Sequence, residues 1–253
     1  MEPVPDERVD ELLRCGDLTI VGRMPWSSNA TFLVDIHAPG AAPDPESPAD
    51  PDQPRPPALL QAIYKPHRGE RPLWDFPSGL WRREVAAHEL SRALGWATVP
   101  ETVERDGPLG EGSLQRFVDA DFGEHYFTLL EDESYHPQLR RMCAFDLVAN
   151  STDRKGGHVL VDEDDHLWGI DNGLSFHAEF KLRTVIWDFA GEPVPSELAD
   201  DLAAFVEAGL PDRLARLLDP FERDAVRTRA RAVLAEGRFP HDPSGRRFPW
   251  PLV

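Results

Sequence analysis

Asp153, Lys155, His158 and Asp171 fall within one stretch of this 253-residue chain, F-D-L-V-A-N-S-T-D-R-K-G-G-H-V-L-V-D-E-D-D-H-L-W-G-I-D-N-G-L-S-F, residues 145–176. Asp153 follows an apolar helical pattern and lies in a polar turn. Asp171 closes a short strand-like run and precedes Asn172-Gly173. Between them H-V-L-V-D and H-L-W-G-I-D are separated by Glu163-Asp164-Asp165, the pattern of a hairpin. A hairpin returns its ends to one place, so the two aspartates should face a common site. Carboxylates brought together in this way repel unless a metal ion or a substrate proton makes use of them. With Lys155 two residues after Asp153 to steady a transferred charge, the chemistry implied is phosphoryl transfer.

Taken alone, D-N-G is a common hairpin turn and D-R-K a common solvated patch. Two upstream residues strengthen the case. L-L-Q-A-I-Y-K-P, residues 59–66, is a nearly continuous apolar run that ends in Lys65, and a lysine closing a buried strand is costly unless a charge meets it. Glu84, on the border of the apolar face of the helical pattern S-G-L-W-R-R-E-V-A-A-H-E-L-S-R-A-L-G at 78–95, is the expected partner. A third element, R-M-P-W-S-S-N at 23–29, has two readings. It is either an ordinary hairpin connection or a lid whose backbone N–H groups and Ser27 and Ser28 hydroxyls cover phosphates.

The elements that must position these groups divide by type. Strand patterns fall at 18–22, 30–36, 59–66, 97–105 and 112–119, and helical patterns at 78–95, 137–150, 196–209, 211–218 and 222–235. Strands dominate the first half and helices the second, so the fold class is α+β, with a small β-rich N-lobe and a larger, mainly helical C-lobe. Residues 38–57 are proline-dominated and interrupt two strands, which makes them a loop insertion in a sheet and not a domain boundary. The acidic run at 119–133 reads as a solvated loop, Ser196 as the start of a capping pattern, and the closing G-R-R-F-P-W-P-L-V as a tail whose aromatics dock on a neighbouring surface.

Composition narrows the partners. The apolar fraction is 41%, enough for a core, and the formal net charge is −18. Repulsion at long range opposes nucleic acid and anionic lipid, so neither nucleic-acid binding nor stable membrane association is expected. Two cysteines, Cys15 and Cys143, are too few for a disulfide framework. The opening M-E-P-V-P-D-E-R lacks the pattern of a secretory signal, and no apolar run reaches membrane-spanning length, which reads as a cytoplasmic protein.

Five roles in order, carried by Lys65, Glu84, Asp153, Lys155 and Asp171, follow the plan of protein-kinase-like catalytic loops. More narrowly, A-I-Y-K-P, N-S-T-D-R-K-G-G-H and L-W-G-I-D-N-G-L-S-F resemble the phosphatidylinositol 3-/4-kinase-like family, above all type II phosphatidylinositol 4-kinases and small actinobacterial relatives. The resemblance covers residues 18–180. It implies a protein-kinase-like two-lobe fold over residues 1–253, with an N-lobe at 9–118 and a C-lobe at 119–253. It also implies ATP with Mg2+ or Mn2+ as cofactors, and transfer of the γ-phosphoryl group to a hydroxyl of a protein or small-molecule acceptor. Lys65 would bind the α- and β-phosphates and Glu84 would orient it. Asp153 would be the base or orienting carboxylate, assisted by Lys155, and Asp171 would hold the metal. Residues 114–118, including Gln115 and Phe117, would form the hinge that holds adenine by its backbone. One departure stands out: His158 occupies the place of the family's metal-binding asparagine, and magnesium prefers oxygen ligands. That departure motivates a second reading, a nucleotide-binding pseudokinase without turnover. A third is AMP transfer on the same fold.

Overall fold

The structure, a computed structural model, describes residues 6–25, 29–41 and 57–253. Ser27, Ser28 and most of the proline-rich stretch at 38–57 lie outside the described residues. The chain divides into two compact units, residues 1–85 with 101–117 and residues 86–100 with 118–253.

The first unit begins with α1 (Asp6–Cys15), whose Val9, Leu12 and Leu13 share one face at helical spacing and are buried. They pack on an antiparallel sheet made of β1 (Asp17–Arg23), β2 (Phe32–His37), β3 (Leu60–Pro66), β4 (Thr102–Gly107) and β5 (Gly110–Arg116), in the order β1-β2-β3-β5-β4. Burial along β3 alternates strictly, with Leu60, Ala62, Tyr64 and Pro66 inward, so Lys65 falls on the opposite face from the core. Arg105 donates to the carbonyls of Leu13 and Gly16 and so satisfies the C-terminal end of α1. The unit also holds the start of α2 (Leu80–Ala93), where the Glu70 carboxylate accepts the N–H groups of Gly79 and Trp81 at 2.9 and 2.8 Å. That carboxylate meets the positive end of the helix dipole.

In the second unit α4 (His136–Ala149) runs through the core, with Leu139, Met142, Cys143, Phe145 and Leu147 all buried. It follows the short α3 (Tyr126–Leu129) and packs with α7 (Pro220–Glu236), which also meets α5 (Ser196–Ala208); α6 (Asp212–Ala215) lies between these two in the chain. The hairpin consists of β6 (Val159–Val161) and β7 (Leu167–Gly169), paired antiparallel with Val159 opposite Gly169. Among the described residues no helix is long and apolar enough to cross a membrane.

Four local expectations need correction. Residues 97–101 do not join a strand. Ser91 Oγ accepts the N–H groups of Thr98 and Val99, and the Ala97 and Thr98 carbonyls go to His166 and Gly169. The run at 119–133 is more than a loop: it holds α3, capped by His125, whose Nδ1 faces the Thr128 N–H at 3.4 Å. Ser196 is already inside α5 and makes no capping bond; Pro195 stands at the cap. By contrast, α7 begins before Glu222, with Asp219 Oδ1 and the Glu222 N–H at 2.9 Å in a reciprocal capping box followed by Pro220.

At Gly112 in β5 the neighbouring strand comes so close that a Cβ would lie 2.4 Å from the Lys65 carbonyl oxygen and 2.7 Å from Pro66 Cα. Both neighbours are backbone and cannot turn aside. Gly112→Ala should therefore destabilise the protein by about 1–3 kcal/mol. The check is urea unfolding, with a lowered midpoint at unchanged slope.

Candidate active site

Asn150 ends α4 in the left-handed conformation, at φ 57° and ψ 50°, which asparagine tolerates better than most residues. Its amide donates to the His177 and Glu179 carbonyls at 2.9 and 2.7 Å and its oxygen accepts from the Lys181 N–H at 2.9 Å, so one side chain ties the end of the helix to residues 177–181. The chain bends at Thr152, and Arg154 then pairs with Thr184 in an isolated parallel bridge, with Lys155 extended. Thr152 N–H donates to the Leu174 carbonyl at 2.8 Å, Arg154 N–H to Arg183 at 3.1 Å, and the Arg154 carbonyl accepts from Val185 at 3.0 Å.

Arg154 is the anchor of this loop. Its guanidinium is 1% exposed and its partner Asp146, on α4, is 0% exposed. Nε lies 3.1 and 3.2 Å from the two Asp146 oxygens, one terminal nitrogen donates to the Ile170 carbonyl at 2.7 Å, and the other to Asn172 Oδ1 at 2.7 Å. Asp146 is completed by the Thr184 hydroxyl at 3.0 Å, and Asn172 donates onward to the Gly169 carbonyl at 3.0 Å. One planar fork thus fixes α4, the 153–155 loop and the segment carrying Asp171, a task suited to the rigid five-donor geometry of arginine.

Side chains alternate along extended backbone, so an inward Arg154 turns Asp153 and Lys155 the other way. Both are half-buried, and Lys155 Nζ lies 3.2 Å from Asp153 Oδ2. Burial raises the Asp153 carboxyl above its ordinary range, and the Asp171 charge adds to that shift while Lys155 and Arg154 pull against it. The Asp171 charge thus acts on Asp153 in the direction expected of two carboxylates near one another. Asp171 has a positive φ of 56° and is half exposed. His158 Nε2 lies 3.5 Å from Asp171 Oδ2, and the Lys155 N–H points at His158 Nδ1, also at 3.5 Å. An imidazole whose Nδ1 accepts carries its proton on Nε2, which makes His158 a donor towards Asp171.

The other expected residues lie in the first unit. Lys65 Nζ bonds the Glu84 carboxylate, whose side chain is 3% exposed. A carboxylate so deeply buried requires such a partner. Gln115 is a sheet residue of β5, and its buried side chain donates to Thr102 Oγ1 at 2.8 Å. The Phe117 N–H donates to the Gln61 carbonyl at 2.9 Å, which extends the pairing of β5 with β3. Sequence reasoning missed Asp146, Arg154 and Asn172. The signal was there in F-D-L-V, a carboxylate in the middle of an apolar helical run, which demands a buried cation.

Within the second unit, Asp119, Asp121, Glu124, Asp132, Asp162 and Asp165 help to line a cavity of about 700 Å3. The acidic run expected to be a solvated loop is therefore partly the wall of a hollow.

The fold these elements define is that of the protein kinases. Over 91% of this chain and 88% of the other, it is similar to the structure of hydra Fam20 with sugar, at TM-score 0.54 and 13% identity. Over 90% and 94%, it is similar to the Helicobacter pylori proinflammatory kinase CtkA, at TM-score 0.50 and 8% identity. No family model matches the chain. Among characterised sequences, Protein Rv2133c of Mycobacterium tuberculosis (strain ATCC 25618 / H37Rv) is 36% identical over 277 residues, spanning 95% of this chain and 94% of the relative. The chain belongs to the family of Protein Rv2133c.

Removing the anchor should be costly. Arg154→Ala strands the Asp146 carboxylate in the core and should lower stability by about 3–5 kcal/mol. Arg154→Lys should recover only part of this, because an ammonium cannot serve three acceptors in the same fixed plane. Denaturant unfolding of both variants against the parent checks the order.

Proposed function

We propose that this chain is an ATP-dependent phosphotransferase that moves the γ-phosphoryl group of ATP to a hydroxyl of a protein or small-molecule acceptor. The observation that carries the reading is the arginine-anchored loop, which holds Asp153, Lys155 and Asp171 in one electrostatic neighbourhood. A kinase-like fold and the phosphatidylinositol 3-/4-kinase-like wording of the same loop support it. The net charge of −18 argues for an acceptor other than an anionic lipid.

In this reading Glu84 holds Lys65 ready for phosphate oxygens, and Lys155 steadies the charge on the group in flight. Asp153 orients the acceptor hydroxyl and takes its proton as the new O–P bond forms. The bond from phosphorus to the β–γ bridging oxygen breaks, leaving ADP and the phosphorylated acceptor. Its raised pKa brings Asp153 closer to the range in which a carboxylate can accept a proton at neutral pH. Among the described residues no three His, Cys, Asp or Glu side chains form a metal-holding group. That fits a magnesium or manganese ion taken up by Asp171 with phosphate oxygens and water, and not by a protein cage. Such an ion would neutralise charge on the phosphates. His158, with its Nε2 proton towards Asp171, supports that carboxylate instead of adding a ligand. The adenine base would be held by the backbone of residues 114–118; within it the Phe117 N–H already donates to the Gln61 carbonyl, and the Gln115 side chain to Thr102.

The same histidine geometry favours a second reading, nucleotide binding without turnover, in which the missing asparagine oxygen has ended catalysis. Turnover of γ-labelled ATP separates the two. With Mg2+ or Mn2+, label should appear on protein, added acceptor or phosphate, and Asp153→Asn and Asp171→Ala should each lower the rate by about 100-fold or more. Equal rates in parent and variants sink the proposal; binding without turnover in either metal establishes the second reading. Stability separates lost chemistry from misfolding. The folded Asp153 pKa is raised, so its charge destabilises the fold at pH values above its unfolded pKa and that cost fades as pH falls through the folded value. Asp153→Asn should accordingly melt no lower than the parent at pH 7.

A further inference from the structure

The last residues of the sequence lie against the loop that carries Asp153 and Lys155. From Phe239, buried in the core, the chain passes Asp242, which accepts the Arg247 N–H at 2.9 Å. The Arg247 carbonyl then accepts from the Thr184 N–H at 3.1 Å and from Trp187 Nε1 at 3.2 Å, and Pro249 is buried. Finally the Leu252 carbonyl accepts the Gly156 N–H at 2.6 Å. Of the tail's aromatics, Phe248 meets the Trp187 ring edge-on at a centroid distance of 6.5 Å, as the composition suggested, whereas Trp250 is 86% exposed. Backbone bonds make the rest of the attachment.

Gly156 shows how close the approach is. A Cβ there would sit 3.1 Å from Phe127 Cε2 on α3 and 3.3 Å from the Leu252 oxygen; at Gly157 it would sit 3.7 Å from Val253 Cγ1. Gly156 is therefore held between the Phe127 ring and the tail, and its need for glycine comes from space and not from φ, whereas Gly157 has room for a side chain. Arg154 fixes the loop on one side of Lys155, and Leu252 fixes it on the other. His158 is held from the hairpin side, its carbonyl accepting the Ile170 N–H at 3.0 Å, so without the second attachment the span between Arg154 and His158 would rest on a glycine pair, the backbone with the most freedom to lose.

We propose that Leu252 is a positioning residue whose backbone carbonyl, through Gly156, holds Lys155 and His158 in the transfer geometry, residues 250–253 serving as a strap across the loop. The role rests on the phosphotransferase reading; the contact itself does not. Deleting residues 251–253, all exposed, removes the carbonyl without touching the core. Leu252→Ala keeps the carbonyl and serves as the control. In the deletion, hydrogen exchange at the Gly156 amide should rise about tenfold or more. ATP turnover should lose about 10- to 100-fold in kcat with little change in KM for ATP. Leu252→Ala should match the parent in both. Unchanged exchange in the deletion overturns the strap, whatever the activity. Faster exchange with unchanged kcat, or a Leu252→Ala defect as large as that of the deletion, overturns the positioning role. A parent that turns over no ATP removes the phosphotransferase reading and the catalytic role with it, while the exchange measurement still decides the contact.

Discussion

The buried pair of Arg154 and Asp146 is the constraint on which the second unit's chemistry depends. Two charges taken out of water are expensive, and the geometry must repay them in hydrogen bonds. Here it does so by using the guanidinium fully: a carboxylate on α4, the Ile170 carbonyl and the Asn172 amide oxygen are all served at once. A hydrophobic replacement could fill the same volume. It could not hold a helix, a loop and a hairpin end in one register, and that register is what brings Asp153 and Asp171 within electrostatic reach of each other.

The first unit solves a related problem with fewer parts. Strict alternation in β3 sends Lys65 away from the packed face, where the nearly inaccessible Glu84 meets it. Gly112 lets β5 lie against the Lys65 backbone at a distance that no side chain would permit. In both units a glycine stands beside one of these lysines: Gly112, paired with Pro66, packs on the Lys65 backbone, and Gly156 follows Lys155. Close backbone approach fixes where each ammonium starts from.

Much of this was legible in the sequence because it is written in local patterns. A nearly continuous apolar run located β3, the apolar spacing located α4, and the interval between Asp153 and Asp171 announced a hairpin that the pairing of Val159 with Gly169 bears out. Local pattern also foretold that Lys65 needs a charge. What it could not foretell were bonds between distant segments. D-R-K looks like a solvated patch until Asp146 is known to face Arg154, and F-P-W-P-L-V looks like an aromatic anchor, which Phe248 is, until the Leu252 carbonyl is seen to carry the contact with Gly156. Residues 97–101 have strand composition, yet Ser91, His166 and Gly169 claim their backbone groups. Hydrogen-bond partners that are far apart in sequence leave no period to read.

The depth of Glu84 has a consequence for how a silent variant of this protein should be made. Replacing Lys65, proposed above to meet phosphate, is a natural choice, but Lys65 is also the counter-ion of a carboxylate that water scarcely reaches. Without it, Glu84 must take up a proton or open the helix start around it. In a living cell a loss of even 1–2 kcal/mol is enough, as a rough guide, to change abundance several-fold through proteolytic turnover. A phenotype at position 65 would thus mix missing chemistry with missing protein, whereas Asp153, whose charge the fold bears at a cost, offers a cleaner handle.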